Sequence, residues 1–120
     1  MSKDARKRAE QKGRRAETLC AIALRLKGYK ILETRAKLPG GEIDLVAASG
    51  DVIAFIEVKA RQFEADALHA ITPQSQQRIL RASEQWMARH TQFADHGWRF
   101  DAMLVAPGRW PKHIIDAWRP

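Results

Sequence analysis

The segment GEIDLVAASGDVIAFIEVKAR, residues 41–61, contains two runs of mostly apolar residues on either side of a short polar turn. The runs are EIDLVAA at 42–48 and VIAFIEVKAR at 52–61, and each is long enough to form one β-strand. Ser49, Gly50 and Asp51 lie between them, and a turn at Gly50 and Asp51 has glycine first, as a type II′ hairpin turn prefers. The sequence therefore predicts a tight antiparallel hairpin.

Four charged side chains share one face of this predicted hairpin. The position of the turn places Asp44 opposite Glu57. By the same count, Glu42 lies opposite Lys59. Because side chains alternate with period two and directly opposed Cβ atoms are about 4.5–5.5 Å apart, three carboxylates and one ammonium group converge. The side chains that point to the opposite face are apolar, and we expect a helix or the rest of the core to cover them: Ile43, Leu45, Ile56 and Val58.

Two carboxylates at this separation repel each other unless a positive group joins them. A divalent cation is suitable, because Mg²⁺ prefers hard oxygen ligands and is commonly held by one or two carboxylates together with substrate phosphate oxygens. The pattern favours Asp44 and Glu57 as metal ligands. Lys59 would orient water or offset charge during phosphodiester hydrolysis. Spacing alone leaves a second interpretation open, in which Glu42 and Lys59 form an ordinary cross-strand ion pair and the other two acids are charges at the rim of the sheet.

A first helix is predicted on the N-terminal side of the hairpin. Residues from about Asp4 to Lys27 lack proline, and their apolar residues recur at helical spacing. Gly28 is a suitable residue to end the helix. Glu17 lies at the margin of the apolar side, in register with Cys20. Glu17 is therefore a further candidate metal ligand, either directly or through water.

The elements after the first helix and the hairpin follow from periodicity and turn residues. Thr72 and Pro73 are typical of a helix cap and a first helical residue. The remaining elements are predicted as a strand at 29–35, a helix from Pro73 to about Arg89 or Phe93, and strands at 98–105 and 113–118. The order α, β, β, β, α, β, β indicates an α/β fold, in which one domain over residues 1–120 has a mixed central sheet flanked by helices.

The balance of charges favours a polyanionic partner. Lysine and arginine number 21 against 14 acidic residues, which gives a formal net charge of +7 and a sequence pI ≈ 10.1. A charge that serves only solubility is the alternative. Residues 1–12 are predicted to form a basic N-terminal arm or helix extension, without the apolar face of a membrane-binding helix. No run approaches the roughly 18 apolar residues of a membrane span, and Cys20 is the one cysteine. We therefore expect a cytoplasmic protein without disulfides that does not bind a membrane.

The histidines and tryptophans are scattered along the sequence. With four histidines and one cysteine, no pattern of paired metal ligands is formed, and ordinary surface or partly buried positions are favoured for the histidines. The four tryptophans are interpreted chiefly as core or rim residues, with stacking on unpaired bases as the alternative.

The two halves of the hairpin resemble the active-site signature of the PD-(D/E)XK nuclease superfamily. Asp44 in GEIDLVA corresponds to the first acid of that signature. Glu57 and Lys59 in FIEVKAR correspond to its second half. The chain from about 13 to 118 is also similar to the YraN-type family of small bacterial proteins related to archaeal Holliday junction resolvases, on the segments AE (16–17), GYKIL (28–32) and RFD (99–101).

The resemblance implies a restriction-endonuclease-like αβββαβ core with a Mg²⁺ or Mn²⁺ site at Asp44 and Glu57. It also implies that Lys59 is the catalytic lysine and that Glu17 is the acid of the first helix. Relatives usually place a lysine at the start of the second helix, in a TPxKxxR pattern, whereas this chain has Ser75 at that position. Arg78, one turn later, is the candidate substitute.

The leading hypothesis is a Mg²⁺-dependent, Holliday-junction-resolvase-like endonuclease that hydrolyses phosphodiesters in structured DNA. Five arginines are predicted to contact phosphates: Arg14, Arg15, Arg61, Arg78 and Arg81. Glu42 and Asp101 are predicted to support the site. One alternative is a nucleic-acid-binding module on the same fold without catalysis, and another is a protein-interaction domain without nucleic acid. The symmetry of a four-way junction suggests a homodimer, by analogy with relatives.

Overall fold

A computed structural model describes residues 2–120 of the chain. The helices and strands are α1 (Lys3–Leu26), β1 (Lys30–Leu38), β2 (Gly41–Ser49), β3 (Val52–Ala60), α2 (Glu64–His69), α3 (Pro73–Arg89), β4 (Gly97–Val105) and β5 (Lys112–Ile114). A 3₁₀ turn, Thr91–Phe93, links α3 to β4. Within residues 2–120, none of the helices combines the length and the apolar character needed to cross a membrane.

The five strands form one mixed sheet in the order β1-β2-β3-β4-β5. β1, β2 and β3 are antiparallel neighbours, whereas β3 and β4 are parallel, and β5 pairs antiparallel with β4. The chain segment between the parallel pair contains α2 and α3, as a parallel connection requires a crossover. The predicted α/β class is confirmed, and the arrangement agrees with a restriction-endonuclease-like αβββαβ core.

The sheet separates two hydrophobic cores. On one face, Trp86 of α3 packs against Phe55 of β3, with ring centroids 5.8 Å apart. On the other face, Cys20 and Leu24 of α1 pack with Ile56. Because both faces of the central strands are covered, β2 and β3 are nearly continuous apolar segments rather than alternating ones.

The predicted helix ends are largely confirmed. Thr72 caps α3 through its hydroxyl oxygen, which accepts a hydrogen bond from the Ser75 backbone nitrogen at 3.2 Å, and Pro73 is the first helical residue. The basic residues predicted as an arm or a helix extension belong to α1, which begins at Lys3, directly after its cap Ser2. Met1, the first residue of that predicted segment, lies outside the described residues.

Three elements differ from the sequence-based expectation. β1 continues to Leu38 instead of ending at Arg35. The short helix α2 is an addition, because six residues without a side-chain N-cap give no clear periodicity in the sequence. The last strand ends at Ile114 and not at Trp118, because the backbone nitrogen of Asp116 donates to the Asp101 side chain at 2.9 Å instead of to a neighbouring strand.

Candidate active site

The hairpin forms as predicted near its turn and then opens. Pairing between β2 and β3 runs from Ser49 opposite Val52 to Leu45 opposite Ile56, which is the predicted register. Gly50 has φ +59°, which glycine adopts at low cost and which a type II′ turn requires at its first central position. Pairing ends at Leu45, so the charged residues lie where the two strands separate.

Two predicted cross-strand pairs are therefore wrong as ladder positions. Asp44 and Glu57 are one step beyond the last paired residues of β2 and β3. Glu42 is not opposite Lys59 but pairs with Lys37 of β1 at the exposed edge of the sheet. The hairpin diverges because β2 follows β1 in this region, whereas β3 continues alongside β4.

The Asp44 side chain occupies the opening between the strands. Its Oδ2 atom accepts a hydrogen bond from the backbone nitrogen of Val58 at 2.8 Å. A side-chain carboxylate thus replaces the backbone carbonyl that would continue the β2–β3 ladder. This bond fixes the Asp44 carboxylate against the part of β3 that carries Glu57 and Lys59.

The alternation of side chains breaks at the same place. Ile43 packs in the core under α3, whereas Leu45 packs in the core under α1, although period two would place both on one face. The expectation that Ile43 shares an apolar face with Leu45 is therefore wrong. Arg35, which lies across from Asp44 on β1, has φ +52°, an uncommon conformation for a residue with a side chain. The irregular backbone at Arg35 accompanies the change of direction at Asp44.

Glu57 and Lys59 form a partly buried pair next to Asp44. The Nζ atom of Lys59 lies 3.7 Å from Oε1 of Glu57, and the Lys59 and Glu57 side chains are 24% and 12% exposed. Burial, and then the adjacent Asp44 carboxylate, raise the pKa of Glu57 from 4.5 to about 9, while Lys59 acts in the opposite direction. These three residues, Asp44, Glu57 and Lys59, are called the carboxylate site below. The site contains two acidic side chains and one basic side chain.

Glu17 reaches the same region from α1 but has a partner of its own. The Nε atom of Arg35 donates to Oε2 of Glu17 at 2.7 Å. Burial raises the pKa of Glu17, the hydrogen bond from Arg35 lowers it, and the charge of Asp44 raises it further. Glu17 is thus electrostatically linked to the carboxylate site while its charge is balanced by Arg35.

Cys20 is not a nucleophile in this arrangement. Its side chain is fully buried in the core that α1 forms with the sheet. Burial is the largest cause that raises the pKa of the thiol to about 12, and the charges of Asp44 and Glu17 add to it. A thiol with that pKa is uncharged at neutral pH, so the reactive thiolate is scarce. Cys20 therefore packs in the core.

The donor set fits a hard divalent cation that is held by two carboxylates. Within residues 2–120, no group of three or more His, Cys, Asp or Glu side chains gathers closely enough to hold a metal ion. Asp44 and Glu57 nevertheless offer two adjacent carboxyl groups with one ammonium group nearby. Mg²⁺ commonly uses one or two protein carboxylates and completes its shell with water and phosphate oxygens.

Basic side chains line two open clefts on either side of α1. The α1–β1 cleft, of ≈ 640 Å³, contains Glu17 and four cations: Arg14, Arg25, Arg35 and Lys37. The α1–β3 cleft, of ≈ 280 Å³, contains four cations: Lys12, Arg15, Arg61 and Arg109. The predicted phosphate contacts Arg14, Arg15 and Arg61 therefore lie in these clefts. The other cations of the clefts are not predicted from the sequence, because they are distant from the hairpin or belong to no motif.

The other two predicted phosphate contacts lie on α3, beside the turn that joins β1 to β2. Arg78 and Arg81 are exposed. A Cβ atom built on Gly41 would lie 3.7 Å from Cβ of Arg78, and one built on Gly40 would lie 3.0 Å from Cβ of Arg81. Arg78 is therefore next to the start of the strand that carries Asp44. Ser75, in contrast, is part of the helix cap, where its hydroxyl donates to the Thr72 carbonyl oxygen at 2.8 Å.

Asp101 has its hydrogen-bond partners on β4 and in the C-terminal segment. Its side chain is fully buried and accepts two hydrogen bonds from Arg99, each of 2.8 Å. Nε2 of His113 lies 2.8 Å from Oδ2 of Asp101, and the Asp116 backbone nitrogen donates to Oδ1. These partners lower the pKa of Asp101, although burial alone would raise it. Asp101 therefore joins β4 to the C-terminal segment.

Sequence reasoning misses two groups that shape the site. The Val58 backbone nitrogen holds Asp44, and Arg35 neutralises Glu17. The hydrogen bond from Val58 is missed because a continuous ladder would pair the Val58 nitrogen with a backbone carbonyl group. The second contact, between Arg35 and Glu17, joins two different elements, and the positive φ of Arg35 has no glycine or asparagine signal in the sequence.

Comparison with known proteins gives a consistent result. The sequence model of a family described as "Uncharacterised protein family UPF0102" matches residues 16–105, which include Glu17 and the carboxylate site. A UPF0102 protein from Parvibaculum lavamentivorans is 49% identical over 108 residues, covering 90% of this chain and 81% of its own length. A UPF0102 protein from Methylocella silvestris is 50% identical over 114 residues, covering 95% of this chain and 92% of its own length.

Proposed function

The chain belongs to the uncharacterised protein family UPF0102, and we propose that it is a metal-dependent endonuclease that hydrolyses phosphodiester bonds in structured DNA. The observation that carries this proposal is the carboxylate site. Asp44 and Glu57 stand side by side where β2 and β3 separate, with the Lys59 ammonium group 3.7 Å from Glu57. Two adjacent acids in a partly buried position repel each other when both are ionised, and a divalent metal ion would offset that repulsion.

Asp44 and Glu57 would hold Mg²⁺ or Mn²⁺. When bound there, the ion would offset phosphate charge and polarise the scissile phosphoryl group. The hydrogen bond from Val58 orients the Asp44 carboxylate before any ligand arrives. Lys59 supplies a proton donor and a positive charge for the oxygens on which negative charge develops. Glu17, held by Arg35, keeps a further acid close to the site without adding net charge.

The basic clefts support nucleic acid as the substrate. Phosphate contacts supply most of the sequence-independent affinity for nucleic acid. The cations of the α1–β1 and α1–β3 clefts lie on both sides of α1, which also carries Glu17. Arg78 and Arg81 would add contacts from α3. DNA in the cytoplasm is the proposed substrate, and a homodimer would match the symmetry of a four-way junction.

Cleavage assays with matched variants test this proposal. Purified full-length chain is incubated with labelled four-way junction, nicked duplex and single-stranded DNA, in Mg²⁺, in Mn²⁺ and in EDTA. We expect metal-dependent cleavage that falls about 100-fold or more in Asp44→Asn and in Lys59→Gln. Asp51→Asn in the exposed hairpin turn is the control and should cleave normally. Cleavage that persists in Asp44→Asn would overturn the assignment of the site.

A non-catalytic nucleic-acid-binding module is the second candidate, and Ser75 is the observation that favours it. The TPxKxxR pattern of the resembled family has a lysine at this position, whereas the Ser75 hydroxyl here is used by the helix cap. The same assays separate the candidates, since a module would bind DNA without cleaving it in any metal. Restoring the basic group with Ser75→Lys would then raise cleavage only if the chain is an enzyme. Absence of binding at low salt would favour a protein-interaction domain instead.

A further inference from the structure

The α1–β3 cleft combines positive charge with an apolar floor. Its cations come from α1, from the end of β3 and from the turn after β4: Lys12, Arg15, Arg61 and Arg109. Leu19, Val105 and Pro107 lie between them. Charged walls above apolar side chains suit a ligand that has both phosphates and flat apolar surfaces.

The cations of this cleft have little acidic compensation. Among residues 2–120, Arg109 is the one of the four that forms an ion pair, with its guanidinium group 3.2 Å from Glu64. That pair is at the surface, where an ion pair contributes little and is readily exchanged for another anion. The cleft is therefore an electrostatic site for a polyanion.

Two exposed aromatic residues lie close in sequence to residues that line the cleft. Phe63 is 65% exposed and Trp110 is 60% exposed, whereas Trp86 is buried in the core. Phe63 directly precedes Glu64, and Trp110 directly follows Arg109, so the Arg109–Glu64 ion pair brings their two segments together. Large exposed aromatic rings close to cations are a combination that can stack on bases while holding their phosphates.

The cleft also adjoins the carboxylate site. Arg61 is two residues beyond Lys59, which corresponds to roughly 7 Å along an extended strand. Ala16, another lining residue, directly precedes Glu17. A strand that leaves the cleft therefore comes close to the proposed reaction centre.

We propose that the α1–β3 cleft binds an unpaired nucleic-acid strand and that the neighbouring Phe63 and Trp110 rings stack on its bases. This inference rests on the proposed function and narrows its substrate to structures that have a single-stranded region beside the cleavage point. Continuous duplex hides the faces of its bases by stacking, so it would gain phosphate contacts but no contact with the two rings. An unpaired strand gains both.

Binding measured without metal tests the inference separately from catalysis. Fluorescence anisotropy in EDTA compares a labelled oligothymidylate, an oligouridylate of equal length and a duplex. We expect Phe63→Ala and Trp110→Ala each to weaken binding of the unpaired strand about 5-fold or more, and to leave duplex binding within about 2-fold. Leu26→Ala, at a 75% exposed apolar position on α1, is the control and should change neither affinity. The two oligonucleotides decide whether the preferred strand is DNA or RNA.

Tryptophan fluorescence gives a second readout that a merely structural role would not move. Stacking of a base on Trp110 should quench emission when oligothymidylate is added. In Trp110→Phe, binding should persist because phenylalanine also stacks, while the quenching is lost. Trp98→Phe is the matched control and should keep the quenching. Unchanged affinity in Trp110→Ala, or quenching that survives in Trp110→Phe, would overturn the inference. Strand binding without cleavage would leave it standing while removing the proposed nuclease activity.

Discussion

The Asp44 carboxylate accepts a hydrogen bond from the Val58 backbone at 2.8 Å and also lies beside the acidic group of Glu57. The first interaction stabilises the fold, and the second raises the pKa of Glu57, so that Glu57 keeps its proton at neutral pH. A substitution that keeps the hydrogen bond from Val58 and removes the negative charge therefore separates the two effects. Asparagine does so, since its side-chain oxygen still accepts a hydrogen bond and its amide carries no charge.

We expect Asp44→Asn to keep the hydrogen bond from Val58 and to stay within about 1 kcal/mol of the original chain in EDTA. Asp44→Ala leaves the Val58 nitrogen without its acceptor, and it should be less stable than Asp44→Asn by about 1–3 kcal/mol. Urea unfolding at neutral pH measures both free energies. Equal stability of the two variants would show that the hydrogen bond contributes nothing.

A pH dependence follows from Glu57. Its pKa is raised from 4.5 to about 9, mainly by burial and then by Asp44, so the folded chain binds this proton more tightly than the unfolded chain does. The resulting stability is fully present below pH 4.5 and is lost as pH rises towards 9. Relative to Glu57→Gln, the free energy of unfolding in EDTA should therefore decrease across this range. Urea titrations at several pH values check the slope, and a parallel course of the two proteins would contradict it.

The sequence predicts that Asp44, Glu57 and Lys59 lie together, but it does not predict the hydrogen bond that fixes Asp44. Asp44, Glu57 and Lys59 follow from the hairpin count and the resemblance. The count assumes a continuous ladder, whereas pairing stops at Leu45. Where the strands diverge, the Asp44 side chain accepts the hydrogen bond of the Val58 nitrogen, and such competition between a side chain and the backbone is not visible in a pattern of apolar and polar residues.

At the element scale, α3 packs closely on the turn between β1 and β2. The Gly40 backbone nitrogen donates to Oε1 of Gln85 at 2.7 Å. A Cβ atom on Gly40 would lie 3.0 Å from both that oxygen and Cβ of Arg81. This close approach sets the position of the helix relative to the strand that carries Asp44.

Gly40→Ala should therefore destabilise the protein by about 1–3 kcal/mol, because the added methyl group forces helix and turn apart. Gly13→Ala is the matched control, since a Cβ atom there meets nothing within 4 Å. Gly13 lies inside α1, so the control should be neutral or stabilising by up to about 1 kcal/mol. Thermal and urea unfolding measure both changes. A smaller loss for Gly40→Ala than for Gly13→Ala would contradict the close packing.

Element prediction succeeds where local signals are strong. Thr72 and Pro73 mark the start of α3 through capping chemistry that acts within one turn. The end of the chain is harder to predict, because β5 stops where Asp101 captures the backbone of Asp116, a contact between residues distant in sequence. Long-range contacts of this kind override local propensity.

At the scale of the whole molecule, α1 separates the two basic clefts. Arg14 lines the α1–β1 cleft, and Arg15 lines the α1–β3 cleft. Both side chains are exposed and adjacent in sequence, yet they line different clefts. A substrate that crosses α1 would contact both arginines, whereas a substrate confined to one cleft would contact only one of them.

The salt dependence of DNA binding distinguishes these cases. Each phosphate contact releases condensed counterions, so its loss lowers the slope of log affinity against log salt by about 1. If one junction DNA spans both clefts, Arg14→Ala and Arg15→Ala should each reduce the slope by about 1, and the double variant by about 2. Arg119→Ala is the control, because Arg119 pairs with Asp116 near the C-terminus, and its slope should stay unchanged. Anisotropy titrations in EDTA from low to moderate salt provide the slopes. A double variant no different from one of the single variants would limit the DNA to a single cleft, and a change in Arg119→Ala equal to the others would assign binding to net charge alone.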